Sequence, residues 1–383
     1  MLIISTTLAI RLAISLFIRR LFIKLFSYMP CIRCLVRAVW LWGTVLCGSC
    51  LTNVYLQAQS QNFVPNNAER FADSARSSAA AQAFINSPNT PSTLLWKQFE
   101  TRIQMLCKEF DGVVGAVGVA VLDLTTGQTL AINADTRFPA ASTIKLAIVA
   151  ELFRQHEQSS GGGQTRPPTS GAQYARLTDP YTLKTSDLIA GSDVLAGFTP
   201  GITKLTNRDL AALMIITSDN AATNILIDRV GMDNVNALLN NLGCIHTRLQ
   251  RKMIDLAAAR AGRENLATPR DMVRLLEALY DSRVCSKTLN DDLMKLLLAD
   301  KYCYMRRLLP ETVALASKPG WLEGVITESG IIFAPNRPFA LSVMTSFVRD
   351  ERAAEDLIAR IAREALGVFE SLGRSSEYGR TLR

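Results

Sequence analysis

Apolar positions recur along this chain with two different periods, and the change of period lays out the elements. In "STLLWKQFETRIQMLCKEF", residues 92–110, Leu95, Phe99, Ile103 and Leu106 recur at helical spacing behind a Ser/Thr cap, which predicts a first helix. "VVGAVGVAVLDLTTGQTLAINAD", residues 113–135, is an apolar run, a turn and a second short run, the pattern of a β-hairpin. From Ser142 to about Asp300 the spacing is helical, broken by "SSGGGQTRPPTSGAQ", whose Gly and Pro mark a surface loop. Strand patterns return in "VALASKPGW", "GVITESGIIFAP" and "RPFALSVMTSF", and "ERAAEDLIARIAREALGVF" closes the series as an amphipathic helix.

A hairpin, a long helical excursion, three further strands and a final helix predict an α/β (α+β) fold. Its centre is a five-stranded antiparallel sheet in which the first two strands meet the last three. The first and last helices cover one face, and an all-α subdomain is inserted between the two sets of strands. A site is expected in the cleft between subdomains. The folded body is expected over residues 92–372, followed by a tail at 373–383 and preceded by a tether at 59–91, rich in Ser, Ala, Asn and Pro.

Composition changes the picture mainly at the N-terminus. The chain has 383 residues, 48% hydrophobic, enough to bury a large core in one or two domains. Its net charge of +8 suggests an anionic partner until it is located. Six of those charges, Arg11, Arg19, Arg20, Lys24, Arg33 and Arg37, lie in residues 1–58, which hold no carboxylate. The remainder is close to neutral, so no basic surface for nucleic acid is expected. Residues 1–58 are apolar and basic and end in "TNVYLQA", with small or apolar residues where a signal peptidase reads, so they are expected to be an export signal. Met29 offers a second start within it. Left uncleaved, the segment would be a membrane tether.

Two CxxC pairs fall in that segment, Cys31 with Cys34 and Cys47 with Cys50. The apolar run between them argues against a zinc ribbon, and no metal or cofactor is expected. Cys107, Cys244, Cys285 and Cys303 remain for an exported body, as disulfides or as buried free thiols.

Three short patterns bear on chemistry. In "RFPAASTIKLAIVAELFRQ", Ser142 begins a helix and Lys145 stands one turn on, so the hydroxyl lies at the positive end of the helix dipole and the lysine, beside apolar neighbours, gives up its proton more readily. By itself Ser-x-x-Lys is equally a helix cap and a solvated lysine. Ser218, Asp219 and Asn220 form an S-D-N between two apolar helical runs, where a helix cap would use the same residues. Lys318, Pro319 and Gly320 form a K-x-G at the end of a strand run, with Trp321 next.

Ser-x-x-Lys, Ser-Asp-Asn and Lys-x-Gly, in this order and 76 and 100 residues apart, resemble the class A serine β-lactamases and their penicillin-binding relatives. "RFPAAST", "GSDVL" at 191–195 and the span from "TRL" to "TP" at 247–269, similar to the family's Ω loop, extend the resemblance over about Ser92 to Leu372. It implies a bacterial, exported, monomeric enzyme, periplasmic or extracellular, acting on a small acyl compound. Ser142 would attack the lactam carbonyl, Lys145 and Ser218 would pass protons, and Asn220 would bond the substrate amide. Lys318 would attract the substrate carboxylate, beside Gly320, and the backbone N–H groups of Ser142 and Trp321 would form the oxyanion hole.

Two departures from the family pattern matter. Met253 falls where the family's deacylating glutamate belongs and Ala257 where its asparagine belongs, so release of the acyl group is expected to be slow. Asp255 is expected either to replace the base or to pair with Arg248 or Arg251. Pro319 replaces a Thr or Ser whose hydroxyl holds the substrate carboxylate. Besides β-lactam hydrolysis, two other readings remain open: a peptidase or esterase, and a membrane-tethered receptor whose stable adduct is the signal.

Overall fold

A computed structural model describes residues 90–160, 174–189, 192 and 194–381. The expected leader, nearly all of the tether, both CxxC pairs and most of the Gly/Pro-rich loop lie outside the described residues.

The first helix, α1 (Pro91–Glu109), starts with Thr90 capping it through its side chain and Pro91 in the first turn. The hairpin follows as β1 (Val114–Asp123) and β2 (Thr129–Ile132), turned by Asp123, whose carboxylate accepts from Thr125 N, Thr126 N and Thr126 Oγ1. After a two-residue strand β3 (Phe138–Pro139) the chain enters the all-α subdomain. Its helices are α2 (Lys145–Ser160), α3 (Asn207–Ile216), α4 (Asn220–Val230), α5 (Met232–Asn241), α6 (Leu256–Arg260), α7 (Pro269–Tyr280) and α8 (Lys287–Leu298). Three more short strands are β4 (Pro180–Thr182), which pairs with β5 (Lys204–Thr206), and β6 (Leu266–Ala267), which pairs with β3 and bridges to Arg248. The series ends with β7 (Leu315–Leu322), β8 (Val325–Ile332), β9 (Phe339–Val348) and α9 (Glu351–Arg374).

The five long strands form one antiparallel sheet in the order β2-β1-β9-β8-β7. As expected, the first two strands join the last three, and β7 is left as an edge. Alternation within β9 divides the core in two. Phe339, Leu341 and Val343 face α1 and α9, while Ala340 and Met344 face the helical subdomain. On the first face Phe369 stacks on Phe339 with centroids 4.1 Å apart and meets Trp96 and Phe99 edge-on. On the second, α2 is buried on all sides from Lys145 to Phe153, as a central helix must be.

The structure adds three details to the sequence reading. The last helix runs on to Arg374, and Glu377 beyond it accepts hydrogen bonds from Ser92 N and Oγ, so the expected tail turns back to the start of α1. Of the two states left open for Cys107, Cys244, Cys285 and Cys303, the structure shows buried free thiols at all four. Among the described residues no helix is long and apolar enough to cross a membrane.

Candidate active site

Ser142 sits in a single 3₁₀ turn, Ala141–Ile144, that runs directly into α2. Two residues near it hold backbone angles that side chains disfavour, Ala141 at φ 47° and Ser218 at φ 59°. Such conformations persist where surrounding contacts over-determine them, and they concentrate at functional sites. Here the contacts are visible. Asp219 caps α4 through Ala222 N and also accepts from Leu195 N, anchoring the turn that carries Ser218.

That turn brings the two distant motifs together. Ser218 Oγ donates to Ser142 Oγ at 3.0 Å, and accepts from Lys145 Nζ at 3.1 Å and from Lys318 Nζ at 3.0 Å. Lys145 Nζ also donates to Ser218 O (2.7 Å) and Asn220 Oδ1 (3.0 Å), and Lys318 Nζ to Pro319 O (3.0 Å). Lys145 thus reaches Ser142 through Ser218. The reason is that Lys145 starts the α-helix proper, and its side chain lies against the S-D-N turn.

Both lysines are buried, at 0% and 1% exposure. Burial holds the Lys145 ammonium well below its ordinary range, and Lys318 adds to this while Asp219 opposes it. Burial likewise lowers Lys318, to about 7, with Lys301 acting in the same direction. Two nitrogens each about 3 Å from one oxygen are at most about 6 Å apart, a distance at which each charge disfavours the other. The arrangement therefore puts an amine whose charge burial disfavours in contact with a hydroxyl, in contact with a second hydroxyl. That line of contacts can carry a proton between Ser142 and Lys145.

β7 closes the other side. Gly320 pairs with Thr327 across the ladder, and a Cβ on Gly320 would stand 2.8 Å from Ser142 N and 2.9 Å from Ala141 Cβ. Only glycine permits this approach. Pro319 costs the sheet little, because β7 is an edge strand. The Trp321 indole, 55% exposed, turns to Glu351 rather than towards Ser142.

The segment 247–269 forms a loop whose neck is closed by the Arg251–Glu264 ion pair at 2.7 Å. Three asparagine amides pin it, each working in both directions on the backbone: Asn236 on Leu249, Asn265 on Arg251 and Asn224 on Met253. Asn224 lies one helical turn beyond Asn220 on α4, so it holds the buried Met253 one turn from the Lys145 contact. Of the two expectations for Asp255, pairing with Arg248 or Arg251 does not occur. Its carboxylate caps α6 at Ala258 N, Arg251 is taken by Glu264, and Arg248 donates to Asn240. Sequence reasoning missed the three asparagines, of which Asn224 lies on α4, Asn236 on α5 and Asn265 just before β6.

No group of three or more His, Cys, Asp or Glu among the described residues is placed to hold a metal ion. A surface cavity of about 170 Å³ lies apart from these residues, between β1, β2 and α7, where its arginines Arg270 and Arg274 already pair with Asp135 and Asp271.

The profile of the Beta-lactamase enzyme family matches residues 98–369. A beta-lactamase of Streptomyces fradiae is 27% identical over 307 residues, 78% of this chain and 95% of that protein. Among solved structures, a beta-lactamase from Sphaerobacter thermophilus superposes with a TM-score of 0.60 at 30% identity, covering 70% of this chain and 96% of the other. A reconstructed ancestral class A beta-lactamase gives a TM-score of 0.62 at 27% identity, with 71% and 100% covered.

Proposed function

The chain belongs to the beta-lactamase enzyme family, and from that premise we propose that it is an exported serine hydrolase, acylated by β-lactams at Ser142 and slow to release the acyl group. One observation carries this reading: the unbroken line of hydrogen bonds from Ser142 Oγ through Ser218 Oγ to two buried lysines.

In acylation Ser142 Oγ bonds to the lactam carbonyl carbon. Once Lys145 is neutral the two hydroxyls turn, Ser142 donating to Ser218 and Ser218 to Lys145, and the Ser142 proton passes to Ser218 as the Ser218 proton passes to Lys145. The backbone N–H groups of Ser142 and Trp321 stabilise the oxyanion, each such donor being worth about 10²- to 10³-fold in rate. As the lactam C–N bond breaks, the proton returns along the same line to the leaving nitrogen. Lys318, while charged, attracts the substrate carboxylate, and Pro319 contributes no hydroxyl to help it.

Deacylation needs water, which adds to the ester as the Ser142 oxygen leaves with a proton. A general base for this step is worth about 10²- to 10⁴-fold. The side chain pinned at the family's glutamate position is that of Met253, which cannot accept a proton, and Asp255 is occupied as a cap. This favours a long-lived adduct and keeps a β-lactam receptor as the second reading.

Intact mass of the chain mixed with a penicillin, followed over time, tests the proposal. The expected result is a rapid gain of one penicillin mass, absent in Ser142→Ala, that decays over minutes or longer. A wild-type chain with no adduct at high penicillin would overturn it, and an adduct that never decays would replace the hydrolase with the receptor.

A further inference from the structure

We infer that Glu351 and the Trp321 indole are positioning residues that fix the Trp321 backbone N–H as an oxyanion donor; this deepens, and rests on, the reading of Ser142 as the acylated nucleophile.

Trp321 lies on β7, which has a strand neighbour on one side only, so no ladder restrains its outer edge. Its register partner is Ile326, which belongs to the core beneath α1 and α9. Residues opposite one another in a ladder send their side chains to the same face. The indole therefore leaves towards α9, while the peptide that bears its N–H stays beside the nucleophile turn. On the α9 face, Trp321 Nε1 donates to Glu351 Oε1 at 2.9 Å, across 30 residues of sequence.

The opposite side of the same peptide has no slack. It joins Gly320 to Trp321, and the space at Gly320 is filled by Ser142 N and Ala141 Cβ. A planar peptide moves as a unit, so a tilt of the Trp321 backbone changes where its N–H points. It is therefore held between a steric stop at Gly320 and a hydrogen bond at Glu351.

Glu351 is itself well anchored. It is the first residue of α9, where a carboxylate is favoured by the helix dipole, and Asp350 caps the helix through Arg352 N and Ala353 N. The approach to α9 is fixed by Val348 N donating to Gly324 O in the β7–β8 turn and by Arg349 N donating to Val113 O. The clamp thus refers the outer end of β7 to the same corner that holds β8, β9 and β1.

The test is the ester carbonyl stretch of the acyl-enzyme, measured by infrared difference spectroscopy together with acylation kinetics, in wild type, Trp321→Phe, Glu351→Ala and Glu351→Gln. In Trp321→Phe and Glu351→Ala the stretch is expected at higher wavenumber, with acylation about three- to tenfold slower and KM unchanged, a loss the size of one modest hydrogen bond. Glu351→Gln keeps an acceptor and is expected to restore both readouts. A wild-type stretch and rate in Glu351→Ala, or a loss confined to thermal stability, overturns the inference while leaving acylation at Ser142 intact. Absence of any adduct in the wild type sinks both. Should Trp321→Phe fail to fold, the two substitutions at exposed Glu351 decide the matter alone.

Discussion

At the scale of single residues, Ser218 is the node of the site. Its hydroxyl touches Ser142 and both lysines, and its left-handed backbone turns its carbonyl onto Lys145 as well. Two lysines on one oxygen divide the work by pH. Under the proposed mechanism, Lys145 must be neutral to accept a proton and Lys318 must be charged to attract an anion. Because burial lowers both, acylation at saturating penicillin is expected to rise with pH well below the ordinary lysine value of 10.5, whereas penicillin binding weakens above about 7 as Lys318 loses its charge. Stopped-flow acylation between about pH 5 and 9 separates the two limbs, and Lys318→Met should abolish the second. An acylation limb that climbs only near 10.5 would contradict the assignment of Lys145. The same shift bears on stability. Between about 7 and 10.5 the unfolded chain holds a proton at Lys318 that the folded chain has lost, so this group's contribution rises with pH across that window.

At the scale of elements, the loop 247–269 is a pinned frame, and under the proposed mechanism it holds Met253 where a base for hydrolysis would be needed. Its shape does not depend on Met253, because Asn224 grips the backbone there through Met253 N at 2.7 Å and Met253 O at 3.1 Å. Met253→Glu is therefore expected to place a carboxylate inside the site and shorten the adduct lifetime at least about tenfold, within the range of a general base. Adding Asn224→Ala should remove that gain by freeing the backbone. Mass-spectrometric decay of the adduct reads both, and an unchanged lifetime in Met253→Glu would count against this position as the place of the base. The loop was legible in the sequence only as a span between "TRL" and "TP". Its pins were not, because an asparagine that bonds a backbone 13 or 29 residues away leaves no periodic trace.

At the scale of the whole molecule, one sheet separates two cores. One lies under α1 and α9, and the other packs around α2 and the helices that flank the S-D-N turn. Phe369 sits at the centre of the first, fully buried against Phe339, Trp96 and Phe99. Phe369→Ala is expected to cost about 3–5 kcal/mol, lowering Tm by roughly 10 °C, with acylation unaltered in the folded fraction. Thermal unfolding measures it, and a shift under about 2 °C would show that the aromatic cluster does not organise this face.

The sequence by itself determined the order of elements, the joining of the first two strands to the last three, and the three motifs that resemble a serine β-lactamase. It could do so because burial imposes periods of 2 and 3.6 on long elements, and because a reacting site needs particular functional groups. It did not reveal β3 to β6, two- and three-residue strands that are too short to show a period and exist only through their partners. Nor did it reveal that Ser218 stands between Ser142 and Lys145, that Glu264 rather than Asp255 takes Arg251, or that Trp321 reaches Glu351. Those pairings join residues 13 to 76 positions apart. Local spacing sets which groups one element can offer, whereas the closure of the chain around two cores sets which of them meet.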